Sequence, residues 1–185
     1  MANNKRRISK RKKINPKFWV FCEGETEKAY IEYLRAKHRL PVKIISKIIG
    51  SKINDTIISS NISKKEIHPK DKLFMIYDAD VEEVLIRLQK VKKAKLLASN
   101  PSIELWFLLH YKNQTAQISA KECIKQLSNR NSNYYKKGLI DNKLKAQLEK
   151  KQKEAIKRAQ KTTLYNNPST NIFVFIEELE KVKNK

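Results

Sequence analysis

Apolar residues along this chain come in short blocks between lysine-rich stretches, and the spacing inside each block predicts a conformation. Lys17–Cys22 (KFWVFC) is a β-prone run closed by the turn residue Gly24. Thr26 then occupies the place of a helix N-cap, with Ala29, Tyr30, Tyr33 and Leu34 recurring at helical spacing. Pro41–Ile49 predicts a second strand, and a helix is expected from Asn54 to about Glu66, with Ile57, Ile58 and Ile62 on one side. Lys72–Tyr77 (KLFMIY) is apolar after its first residue, the pattern of a strand buried on both faces. It stops at Asp78-Ala79-Asp80, and Val84, Leu85, Leu88 and Val91 then give Val81–Val91 a helical period. Lys95–Ala98 predicts a fourth strand, and Ser102–Tyr111 (SIELWFLLHY) a buried helix with Pro101 in its first turn.

Alternating strands and helices predict an α/β, Rossmann-like domain, a mostly parallel four-stranded sheet with helices on both faces. From Ser119 onward the pattern is helical and basic. Asp141–Lys161 carries Leu144, Leu148, Ala155 and Ile156 among many lysines, Asn166–Thr170 (NNPST) interrupts, and Ile172–Val182 forms a last amphipathic helix. The expected organisation is a disordered basic arm (1–16), a catalytic core (17–118) and a helical extension packed on it (119–185). Trp19 and Trp106 are expected in the core. Only three glycines are present, which excludes a phosphate-cradling P-loop or a dinucleotide fingerprint.

Charge changes the picture. Lys and Arg number 41 against 19 acids, a formal net charge of +22, which points to a polyanionic partner, nucleic acid before an anionic membrane. The segment up to Lys17 holds no acid and no apolar stretch, so it is not a secretory signal; its cations, Arg11 and Lys12 among them, are expected to attract phosphate. No apolar run approaches the ~20 residues of a membrane span. Cys22 and Cys123 lie far apart without metal-ligand spacing, as suits a reducing cytoplasm.

Against this basic background the acids are positioned with care. Glu23 follows the first strand, Asp78 and Asp80 the third, and Glu104 lies just beyond the fourth. Carboxyl ends of parallel strands share one edge, where ligands bind. Glu23, Asp78 and Asp80 are therefore expected to share a common point with Glu104 nearby. Clustered carboxylates repel and resist desolvation unless a cation neutralises them. Mg²⁺ or Mn²⁺ would serve, as would lysine. Each acid alone has a plainer reading: the two aspartates can cap the next helix, and Glu25 and Glu27 can complement a helix dipole. Glu104, set inside IELWFLLH, is expected to have a specific partner.

Three motifs carry a resemblance: Cys22–Tyr30 (CEGETEKAY), Asp78–Asp80 (DAD) and Ser99–His110 (SNPSIELWFLLH). Together they resemble the TOPRIM fold and, within it, the RloB family linked to prokaryotic restriction and phage-defence loci. Weaker similarity continues through Tyr134–Gly138 (YYKKG) and Asn167–Leu179 (NPSTNIFVFIEEL). The resemblance implies a metal-dependent centre that processes phosphodiester bonds, a nuclease of DNA or RNA, tRNA included, in phage defence or abortive infection. By similarity Glu23 and Glu27 are the acids of the first motif, Asp78 and Asp80 the metal-binding pair, and Glu104 a further ligand for Mg²⁺ or Mn²⁺. Such proteins often act beside an ATPase encoded nearby; self-association is left open.

Lys28 could contact the scissile phosphate, or simply face solvent. Tyr134 and Tyr135 could stack a base while Lys136 and Lys137 hold its phosphate, or they could pack and solvate. His110 reads as a core hydrogen-bonding residue, and His38 and His68 carry no signal. The chain is too short for a topoisomerase cleavage domain and lacks the zinc-binding segments of primases. The competing class is a non-catalytic nucleic-acid-binding subunit whose acids meet a structural ion or a basic partner.

Overall fold

The computed structural model describes residues 16–63, 67–130 and 134–183. Arg11, Lys12 and the end of the helix expected to reach Glu66 lie outside them. The elements are β1 (Lys17–Cys22), α1 (Glu25–His38), β2 (Lys43–Ile48), α2 (Asp55–Ile62), β3 (Lys72–Asp78), α3 (Glu82–Gln89), β4 (Lys95–Asn100), α4 (Ile103–Leu108), α5 (Ala120–Arg130), α6 (Asn142–Lys150), α7 (Gln152–Ala159), β5 (Ser169–Thr170) and α8 (Phe173–Lys183). The sheet order is β2-β1-β3-β4-β5, parallel except for the antiparallel pairing of β5 with β4. Four parallel strands thus stand where expected, and a fifth joins them.

Side-chain alternation along the central strands builds two cores. Phe18, Val20 and Cys22 of β1 and Phe74 and Ile76 of β3 face one layer; Trp19, Phe21, Met75 and Tyr77 face the other. The first layer is covered by α1 and α4 to α8, the second by the short α2 and α3. Phe175 of α8 seats against both central strands, its ring 6.3 Å from that of Phe18 and 5.0 Å from that of Phe74. Residues on both sides of position 118 therefore share one hydrophobic cluster. Both tryptophans are buried, and both cysteines are buried and free. Among the described residues no helix is long and apolar enough to cross a membrane.

Local details depart from the pattern reading. Helix α1 begins at Glu25 with Gly24 as its N-cap, so Thr26 lies inside the first turn. Pro101 precedes the N-cap Ser102 of α4 and does not occupy its first turn. The long basic helix expected over 141–161 is divided at Lys151, which ends α6 and begins α7.

Candidate functional site

Strand order reverses at β1, with β2 on one side and β3 on the other, so the carboxyl ends of β1 and β3 flank a topological switch point. Glu23 and Asp78 are the residues found there. The backbone crosses between them twice: Glu23 N–H donates to the Ile76 carbonyl at 3.2 Å, and Asp78 N–H donates to Glu23 Oε2 at 3.0 Å. Asp78 Oδ1 accepts from Ile103 N–H at the start of α4, 3.0 Å away. Glu27 reaches back within α1 to accept from Gly24 N–H at 2.9 Å. In Glu23 and Asp78 one oxygen is tethered by a backbone N–H, while the other takes no hydrogen bond among the described residues.

Glu23, Glu27 and Asp78 line a pocket of about 370 Å³ together with Lys137 and Gly138 from the loop before α6. Its electrostatics are strained. Burial, then the charges of Glu27, Glu23 and Glu104, push the Asp78 carboxyl up to about 8, against the opposing Ile103 N–H. Burial also raises Glu27, with backbone hydrogen bonds opposing and Glu104 and Glu23 adding to the rise.

Glu104 lies beneath the pocket, 1% exposed, and does not line it. Its Oε2 accepts from the Ser102 hydroxyl at 2.7 Å and its Oε1 from the Tyr135 hydroxyl at 3.0 Å, with Lys137 Nζ 3.9 Å from the same oxygen. The partner expected for this buried acid is therefore a set of protein groups. Burial and Glu104 together raise the Tyr135 phenol far above its usual range, so it stays a donor.

The remaining candidates are dispersed. Asp80 is exposed and outside the pocket lining. Lys28 is part-exposed and 4.0 Å from Glu25 on its own helix. Tyr134 is exposed, whereas Tyr135 turns inward, its ring edge-on to Phe107. Lys136 is exposed. His110 is buried, its Nδ1 2.9 Å from the Trp106 carbonyl oxygen. Sequence reading missed Thr26, whose hydroxyl accepts from Gly138 N–H at 3.0 Å, and Ser102. It also missed the backbone N–H groups of Gly24, Asp78 and Ile103, which leave no mark in a side-chain pattern.

Among the described residues, no three His, Cys, Asp or Glu side chains form a ready-made cation cage. The donor chemistry nonetheless suits a hard divalent ion. Mg²⁺ is commonly held by one or two carboxylates with water completing the shell. Glu23 and Asp78 offer one untethered oxygen each in a crevice where burial, and then the neighbouring acids, disfavour the charged form of Asp78.

A mostly parallel α/β sheet flanked by helices, with acids at its switch point, is a TOPRIM-like fold. The chain belongs to the RloB-like protein family, whose model matches residues 18–179. Comparison with curated proteins and with solved structures finds no significant match.

Proposed function

We propose that this protein is a divalent-metal-dependent nuclease acting on DNA or RNA, in phage defence or abortive infection beside a partner ATPase. The observation that supports this best is the side-by-side placement of Glu23 and Asp78 across β1 and β3, each with one oxygen left over. These two residues would hold Mg²⁺ or Mn²⁺, with Glu27 beside them. Such an ion lowers the pKa of bound water and stabilises charge on the leaving oxygen. The chain's own part is positional. Backbone N–H groups of Asp78 and Ile103 fix the two carboxylates, so little side-chain freedom remains to be lost on loading. The +22 net charge draws the polyanion toward a crevice that would otherwise repel it.

The test is incubation of the full chain with labelled DNA and RNA in Mg²⁺, Mn²⁺ or EDTA, with and without the partner ATPase. Cleavage by the wild type, lost in EDTA and in Asp78→Asn while nucleic-acid binding persists, is the expected result. A non-catalytic binding subunit is the second reading, favoured by one observation: Glu104 is already satisfied by Ser102, Tyr135 and Lys137. Inactivity under every condition, with binding altered in Asp78→Asn, would establish that reading instead.

A further inference from the structure

Glu104 and the loop after α5 are coupled in a way the nuclease reading leaves unused. Both oxygens of Glu104 are taken by hydroxyl donors, and the side chain is sealed from solvent. Each oxygen keeps a further lone-pair site, but the side chain lies beneath the pocket and outside its lining, held there by Tyr135 and Ser102. The loop is fastened at a second point, where Gly138 N–H donates to Thr26 on α1. Gly138 has φ +77°, a conformation that favours glycine where the loop crosses α1. Between these two fastenings stands Lys137. Its ammonium lies 3.9 Å from buried Glu104, yet 60% of its side chain is exposed, and it forms part of the pocket wall with Glu23 and Asp78.

We infer that Glu104 is a positioning residue and not a ligand of the cation. It docks the strap Tyr135–Gly138, and through that strap it sets Lys137 over the acid pocket to receive a phosphate group of nucleic acid. The inference rests on the nuclease reading for the identity of the ligand. The buried carboxylate anchors the ammonium from below while its exposed side remains open to a phosphate oxygen. In a pocket lined by Glu23, Glu25, Glu27 and Asp78, a fixed cation in the wall is what lets an anion approach at all.

The test uses the full chain in EDTA with a short fluorescein-labelled single-stranded DNA, and measures affinity against salt concentration. Lys137→Met should lower the salt slope by about 0.7, the signature of one lost phosphate contact on a single strand, and Lys137→Arg should keep it. Glu104→Gln and Tyr135→Phe should lower it similarly and add nothing in combination with Lys137→Met. Removing the negative charge of Glu104 would by itself tighten binding, so weakening separates positioning from simple electrostatics. Hydrogen exchange at the Gly138 amide should quicken in both strap variants. Tighter binding by Glu104→Gln, or an unchanged slope with the Gly138 amide still protected, would overturn the inference. Should Glu104→Gln not fold, Tyr135→Phe, which leaves the buried charge in place, decides the same point. A Mn²⁺ titration completes the test: Asp78→Asn should lose about tenfold or more in affinity, and Glu104→Gln should stay within about threefold of wild type. Equal losses in the two variants would make Glu104 a ligand and defeat the inference. Absence of Mn²⁺ binding in the wild type would instead count against the nuclease reading, while the EDTA measurements would still decide the strap.

Discussion

Two titratable residues, the half-buried Asp78 and the buried His110, dominate the pH response of the metal-free protein above pH 6. Asp78 is raised from an ordinary 3.8 to about 8, so between those values the folded state holds a proton that the unfolded state has released, and stability falls with rising pH. His110 is lowered by burial from 6.5 to about 4, so over that range the unfolded state binds the extra proton and stability rises with pH. The two slopes oppose one another up to pH 6.5, and only the Asp78 decline continues beyond it. Urea unfolding in EDTA should therefore show a plateau between about pH 4 and 6.5, then a loss of about 2 kcal/mol by pH 8. Asp78→Asn keeps an acceptor for Ile103 N–H and removes the decline, so its stability should rise to pH 6.5 and hold. A wild-type curve still flat above pH 6.5 would show that the acids are compensated without a metal.

At the level of elements, the strands and the acid positions were legible because parallel strands buried on both faces write continuous apolar runs, and Glu23 and Asp78 end two of them. The start of α1 was misplaced by two residues because Thr26 has a capping side chain, whereas Gly24 caps with backbone alone while Glu27 reaches back to it. β5 was invisible for a different reason: two polar residues write no periodicity. Its pairing with β4 is extended by a side chain, since the Asn171 amide accepts from Ala98 N–H at 2.7 Å and donates to the Leu96 carbonyl at 3.2 Å. Asn167 clamps both backbone groups of Ile118 in the same manner. Amide mimicry of a strand is a tertiary property, and no local pattern announces it. Asn171→Ala should strand a buried β4 donor and cost about 1–3 kcal/mol, with faster hydrogen exchange at Ala98. Exchange unchanged from wild type would show that β4 does not depend on this clamp.

On the scale of the whole molecule, charge and pocket geometry are separable. Deleting residues 1–15 removes cations and no acid, so nucleic-acid affinity should fall and its salt dependence flatten, with the pocket's Mn²⁺ affinity unaltered. An unchanged salt slope would reduce that segment to a passive tail. The hydrophobic cluster makes the opposite demand, because it joins residues from both ends of the chain. Phe175→Ala should cost about 3–5 kcal/mol by emptying the seat against Phe18 and Phe74, measurable by chemical unfolding.

That seat governs the order in which a newly made molecule becomes competent. Phe18 and Phe74 leave the ribosome long before α8 exists, and until it arrives one face of the central strands has no cover from the helix that finally seals it. The acids of β1 and β3 likewise emerge ahead of Tyr135 and Lys137. A half-synthesised chain holds the acids of the crevice but neither the strap beside them nor the aromatic packing of α8 on the core face. For a protein proposed to cut nucleic acid, synthesis itself then acts as a safety interval, because the strap that carries Lys137 and the helix that carries Phe175 follow the acids in chain order.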